Sequence, residues 1–131
     1  MHGYRLVCDK KSQDGSGKGN LCLAPDDDVW GVVHRVDDVD EKPLTASEGG
    51  YQKEWVDVEL EGDGLRRMVT YIAYPPNTDP AGRPYSWYKR YIVDGAKEHD
   101  LPTEYIRGLE QIDCMDDPDR NRAALHFATP C

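Results

Sequence analysis

The chain has 131 residues, room for one domain spanning residues 1–131, since two halves would each bury too little surface to hold a core. With 38% hydrophobic and 31% charged residues it has a globular rather than a disordered composition, and no apolar run approaches the roughly 20 residues that span a bilayer. Asp and Glu number 25 against 16 Lys and Arg, a formal net charge of −9; such a surface repels phosphate backbones and anionic lipids, so neither a nucleic acid nor a membrane is an expected partner.

Met1-His2-Gly3-Tyr4-Arg5 does not lead into the apolar stretch of a signal peptide, so a cytoplasmic location is expected. Cys8, Cys22, Cys114 and Cys131 are scattered, with no CxxC and no Cys/His spacing of a zinc site. They read as reduced thiols, with no disulfide and no metal.

Residues 5–9 and 20–24 are short β-prone runs on either side of a polar, glycine-rich stretch, residues 10–19. That stretch lacks the GxxxxGK[ST] spacing of a phosphate cradle and reads as a mobile connection. Pro25-Asp26-Asp27-Asp28 reads as a solvated turn. Residues 29–36, Val-Trp-Gly-Val-Val-His-Arg-Val, form the most strand-like segment and predict a strand buried on both faces, with a bulge or close approach at Gly31. An irregular helix is expected within 37–47, beginning near Pro43. Residues 51–60 and 65–74 form the clearest hairpin, turning through Glu61-Gly62-Asp63-Gly64; Val56, Val58 and Leu60 alternate with Asp57 and Glu59.

A proline-rich loop, 75–84, ends the strand section. Over 85–99 the period becomes helical, with Tyr88, Ile92 and Ala96 on one stripe and Gly95 permitting close packing. Leu101-Pro102 breaks that helix and Thr103 is placed to cap the next. Residues 116–131 predict a short helix and a loosely held polar tail. Strands followed by helices argue for an α+β domain, a mixed or barrel-like sheet with helices packed outside.

His2, His34, His99 and His126 sit in no catalytic motif and read as surface or strand histidines. In Glu48-Gly49-Gly50-Tyr51 a lone carboxylate precedes two glycines and the opening of a strand. It reads either as a pocket-facing Glu with its pKa raised by desolvation or as an exposed Glu before a glycine helix cap.

Four phrases in this order, Val29-Trp30-Gly31-Val32-Val33, Glu48-Gly49-Gly50-Tyr51, Pro84-Tyr85-Ser86-Trp87-Tyr88 and Gly95-Ala96-Lys97-Glu98-His99-Asp100-Leu101-Pro102, resemble the gamma-glutamylcyclotransferase-like family. Asp14-Gly15-Ser16-Gly17-Lys18 followed by Asn20-Leu21 is similar to a loop of its bacterial members. The resemblance implies a gamma-glutamylcyclotransferase-like mixed β-barrel with flanking helices. It also implies a small-molecule γ-glutamyl substrate, whose own α-amine attacks its γ-carbonyl to give 5-oxoproline and a released amine. Glu48 maps to the acid/base glutamate, which takes a proton from the α-ammonium and returns it to the departing nitrogen. Tyr88 matches a substrate-pocket hydroxyl, and Tyr51 and Gly49 are expected to line the same pocket. No metal and no organic cofactor are required.

Two departures stand beside the resemblance. The family opens with a strand and a YGSNL-type loop whose N–H groups hold the glutamyl end and stabilise the oxyanion, and no such phrase is present here. Thr45 also stands where the family often has Asp. The expectation is a domain truncated at its N-terminus, foremost as a fragment whose upstream region was cut off, otherwise as a natural short form that dimerises to cover the gap or one in which residues 10–20 replace the lost donors. The alternative is a non-catalytic protein that kept the fold and binds a small ligand or itself.

Overall fold

The structure, a computed structural model, describes residues 1–37, 39–40 and 49–131. Strands β1 (His2–Lys11) and β2 (Gly17–Asp28) pair antiparallel, as do β3 (Gln52–Leu60) and β4 (Gly64–Ile72). Helices α1 (Ser86–Glu98), α2 (Thr103–Glu110) and α3 (Arg120–Leu125) follow. The α+β class holds. Among the described residues the strands form two antiparallel pairs, and no closed barrel is detected.

The β3–β4 hairpin forms where alternation placed it. Val56 is buried opposite Met68 while Asp57 and Glu59 are exposed, so one face is dry and one wet. The β1–β2 hairpin is longer than its apolar runs suggest, and the glycine-rich stretch is mostly strand and tight turn rather than mobile connection. Within it Asp14 accepts from the Ser16 backbone N–H at 2.9 Å and the Ser16 hydroxyl at 2.6 Å. Gly17 is required by space: a Cβ there would lie 2.0 Å from the Cys8 carbonyl oxygen, and its N–H donates to Arg83 O at 2.8 Å. Residues 25–28 are the end of β2 and not a turn, because β1 supplies a partner there. Asp28 pairs with His2, and Met1 N and Val29 O meet at 2.8 Å. Tertiary pairing overrides the low strand propensity of three aspartates.

Residues 29–36 are the main correction. They form no ladder and are not buried: Trp30, Val32, Val33 and Val36 are 49%, 43%, 47% and 44% exposed. Pairing with β1 stops at Met1 and Val29, and among the described residues no other strand lies alongside 30–36. The expected 37–47 helix falls largely outside the described residues; residues 39–40 are helical.

The helical core is Val93, Ala96 and Leu109, flanked by Leu6, Ile92, Leu101, Tyr105, Ile106 and Ile112. Gly95 is not a close-packing site, since nothing lies within 4 Å of its Cβ position. Nor does Thr103 cap α2; Pro102 occupies the cap without a side-chain bond. Asp119 does cap α3, accepting from the N–H groups of Asn121 and Arg122 at 3.0 Å.

The last segment is also held rather than loose. Cys114 and Cys131 form a disulfide, which corrects the expectation of four reduced thiols and leaves Cys8 and Cys22 as thiols. His126 stacks on Trp87 with ring centroids 3.9 Å apart. The Asp117 carboxylate receives Arg122 through two nitrogens at 2.6 Å and Trp87 Nε1 at 2.9 Å. Arg122 holds the Asp117 carboxyl well down, at about 2.

Candidate functional site

Sequence reasoning named Glu48, Gly49, Tyr51 and Tyr88. Glu48 lies outside the described residues, and Gly49 is exposed in a turn. The two tyrosines meet on one residue, Gly19. Tyr88 Oη accepts a hydrogen bond from Gly19 N–H at 3.0 Å, and Tyr51 Oη donates to Gly19 O at 2.6 Å. Residues from β2, from just before β3 and from the first turn of α1 thereby converge on a single residue.

Each partner is placed by local structure. Tyr88 is fixed because the entry to α1 is pinned: Pro84 is fully buried, Met115 N–H donates to Pro84 O at 2.9 Å, and Ser86 N–H donates to Met115 O at 2.9 Å. Tyr51 follows Gly50, whose φ of +85° turns the chain into β3. Gly19 leaves its neighbours no spare room, as a Cβ would sit 3.3 Å from Tyr88 Oη and 3.7 Å from Leu6 Cδ1.

Asn20, next along β2, is buried and clips the two hairpins together. Its Nδ2 donates to Asp9 Oδ1 at 2.8 Å and to Ala73 O at 3.0 Å, while its Oδ1 accepts from Ala73 N–H at 2.8 Å. On the other side of Gly19, the Lys18 ammonium binds Asp14 at 2.8 Å and lies 4.5 Å from the Tyr88 ring centroid and 4.7 Å from that of Trp87. Desolvation alone would raise the Asp14 pKa, but the bonds from Lys18 and Ser16 outweigh it and hold the carboxyl well below the usual range. Sequence reasoning likened the phrase from Asp14 to Lys18 to a family loop and offered residues 10–20 as substitute donors, but did not foresee these contacts.

Leu6 also forms one wall of an open groove of about 350 Å³ between residues 30–34 and the helices, where Trp30, Ile92 and Tyr105 face it. The Tyr105 hydroxyl is buried there without a hydrogen bond of ordinary geometry. Burial pushes its pKa up, and the Trp30 backbone opposes this only weakly. Among the described residues no group of His, Cys, Asp and Glu is arranged to hold a metal, and no helix is long and apolar enough to cross a membrane.

The AIG2-like family matches residues 28–109. Gamma-glutamylcyclotransferase of Mus musculus is 31% identical over 98 residues, covering 74% of this chain and 52% of that protein. The Bos taurus protein of the same name is 31% identical over 109 residues, covering 76% and 54%. The chain therefore spans about half the length of the curated relatives it matches. In fold it is similar to a solved gamma-glutamyl cyclotransferase, with TM-score 0.81, 24% identity, and coverage of 97% of this chain and 80% of that one. A solved Homo sapiens protein described as uncharacterized superposes with TM-score 0.83 and 25% identity at the same coverage.

Proposed function

The chain belongs to the AIG2-like, gamma-glutamylcyclotransferase-like family, and from that premise we propose that it cyclises a γ-glutamyl amino acid or γ-glutamylamine to 5-oxoproline in the cytoplasm. The observation that carries this reading is the convergence of Tyr51 and Tyr88 on the backbone of Gly19. It brings a strand start adjoining Glu48-Gly49 to the helix turn that bears the other substrate-pocket residue.

The chemistry asks little of the protein. The substrate's α-nitrogen forms a bond to its own γ-carbonyl carbon, the bond from that carbon to the leaving nitrogen breaks, and one proton passes from the former to the latter. Glu48 accepts that proton as base and returns it as acid. Because nucleophile and electrophile share one molecule, the main task is to hold a ring-closing conformation, in which Tyr88, Tyr51 and Gly49 line the glutamyl half. No electrons are transferred and no water is consumed, so the proposed reaction calls for no metal and no organic cofactor. The Gly19 N–H is already committed to Tyr88, so it does not replace the oxyanion donors of the family's YGSNL-type loop. The test is release of 5-oxoproline from γ-glutamyl amino acids and γ-glutamylamines. Glu48→Gln is expected to abolish turnover with the fold intact, and unchanged turnover in that variant removes Glu48 from the mechanism.

A second reading, a self-associating or ligand-binding protein without turnover, is favoured by one observation. Trp30, Val32 and Val33 are exposed on a segment that no strand accompanies among the described residues, the kind of edge that pairs with another chain. A homodimer paired through residues 29–36 would sediment as two chains, and Trp30→Glu would return it to one. A wild-type protein that sediments as a monomer at all concentrations excludes that dimer.

A further inference from the structure

Lys10 lies against the same corner and plays no part in the scheme above. A Cβ on Gly50 would stand 3.0 Å from Lys10 Cε and 3.2 Å from its Nζ, so the end of the lysine packs directly against this glycine. The ammonium lies 5.2 Å from the centroid of the Tyr51 ring, whose hydroxyl is bonded to Gly19 O. Asn77 closes the other side of Gly50, its Cγ 3.8 Å from the same point. The backbone holding Lys10 is fixed by its bridge to Thr78 and by the bond from Lys11 N–H to Asn77 O at 2.9 Å.

Lys10, like Lys11 and Lys89, holds no anion among the described residues, but it alone of the three lies against Tyr51 and Gly50. Lys18 has Asp14 at 2.8 Å and Lys97 has Glu110 at 2.9 Å. Among the described residues no carboxylate pairs with Lys10, in a chain with 25 acidic residues against 16 basic ones. A half-buried ammonium has three donors and loses hydration, and the aromatic face supplies no acceptor. A carboxylate seated there would complete it. The need also runs the other way: a chain of net charge −9 repels an anionic small molecule, and the Lys18 charge beside Tyr88 is already neutralised.

We propose that Lys10 is the carboxylate-binding residue of this site. The inference rests on the γ-glutamyl reading for its substrate and deepens it. Such compounds carry a carboxylate on the glutamyl half, and γ-glutamyl amino acids carry a second on the leaving half.

The test is calorimetric binding of a γ-glutamyl amino acid and of a γ-glutamylamine to the wild-type protein, Lys10→Met and Lys10→Arg, with thermal melts to establish folding. One charge-assisted hydrogen bond predicts a loss of about tenfold to a hundredfold in Lys10→Met, with Lys10→Arg within a few fold of wild type. Loss for both ligands assigns the glutamyl carboxylate, and loss for the amino acid alone assigns the leaving half. Equal affinity in all three proteins overturns the proposal, as does absence of binding by the wild type. If Lys10→Met misfolds, Lys10→Gln takes its place with the same expectation. Lys10-dependent binding with no 5-oxoproline formed would refute the cyclotransferase reading while leaving the carboxylate site standing.

Discussion

Replacing Asn20 by Ala is expected to loosen the joint between the two hairpins. The side chain is 4% exposed, and so is Ala73, whose N–H and C=O it satisfies. Truncation leaves both backbone groups buried without partners and removes a donor from Asp9. Each unsatisfied buried group costs about 1–3 kcal/mol, so a loss of about 3 kcal/mol is expected, a water in the vacated space placing it at the low end. With an m-value of about 1.5 kcal/mol/M, the urea midpoint falls by about 2 M. Asn20→Asp gives an independent check. It preserves size but sets a carboxylate against Asp9 Oδ1 and Ala73 O, so at pH 7 it is at least as damaging as Ala. Its folded-state pKa is raised, so the penalty shrinks on acidification as the new carboxyl protonates and becomes a donor again. A midpoint shift below about 0.3 M for Asn20→Ala, or an Asp variant insensitive to pH, would refute the clip.

Tyr88→Phe removes the acceptor of the Gly19 N–H; it is expected to cost about 1 kcal/mol in urea unfolding and to lower kcat/KM for 5-oxoproline release at least tenfold. Reducing the Cys114–Cys131 bond, which closes a sequence separation of 17, should cost about 3 kcal/mol on the chain-entropy account, read as a fall in Tm on adding dithiothreitol that Cys131→Ser reproduces. In the oxidised protein a thiol reagent at pH 8 should titrate Cys22 quickly and Cys8 slowly, because burial pushes the Cys8 thiol up to about 11. Asp14 and Asp117 both have depressed carboxyl pKa values. Their stabilisation is therefore complete above the unfolded value of about 4 and lost as pH falls toward the folded ones. Urea midpoints should drop below pH 4, and Asp117→Asn should flatten that limb.

What the sequence made legible was whatever depends on local period. The 3.6-residue stripe through Ile92 and Ala96 and the alternation of Val56 with Asp57 each state which face is dry, and both elements formed within two residues of their expected ends. Residues 29–36 failed for the converse reason. A continuous apolar run specifies a strand only if neighbours cover it, and coverage belongs to the partner rather than to the run. The disulfide was missed because thiol state was inferred from compartment, whereas the bond needs only that Cys114 and Cys131 come together, here with Cα atoms 5.8 Å apart.

The site was half legible, and the missing half has a common cause. Tyr51 and Tyr88 carry side chains a resemblance can match, but what unites them is the backbone of Gly19, which has none. Several residues in and just after the stretch read as a connection make contacts to other elements. Asp14 O accepts from Tyr85 Oη at 2.5 Å, Gly17 N–H donates to Arg83 O, Lys18 lies over the Tyr88 and Trp87 rings, and Asn20 holds Ala73. Small and polar residues are what a chain needs both where it is solvated and where other elements must reach its backbone, so composition reports the two situations identically. What separates them is saturation: a solvated loop leaves its peptide groups to water, whereas here a single residue has both its N–H and its C=O taken by tyrosines from different elements. The β1–β2 hairpin end is thus the hub on which strand and helix are registered, and a substitution at Gly19 should move both tyrosines at once.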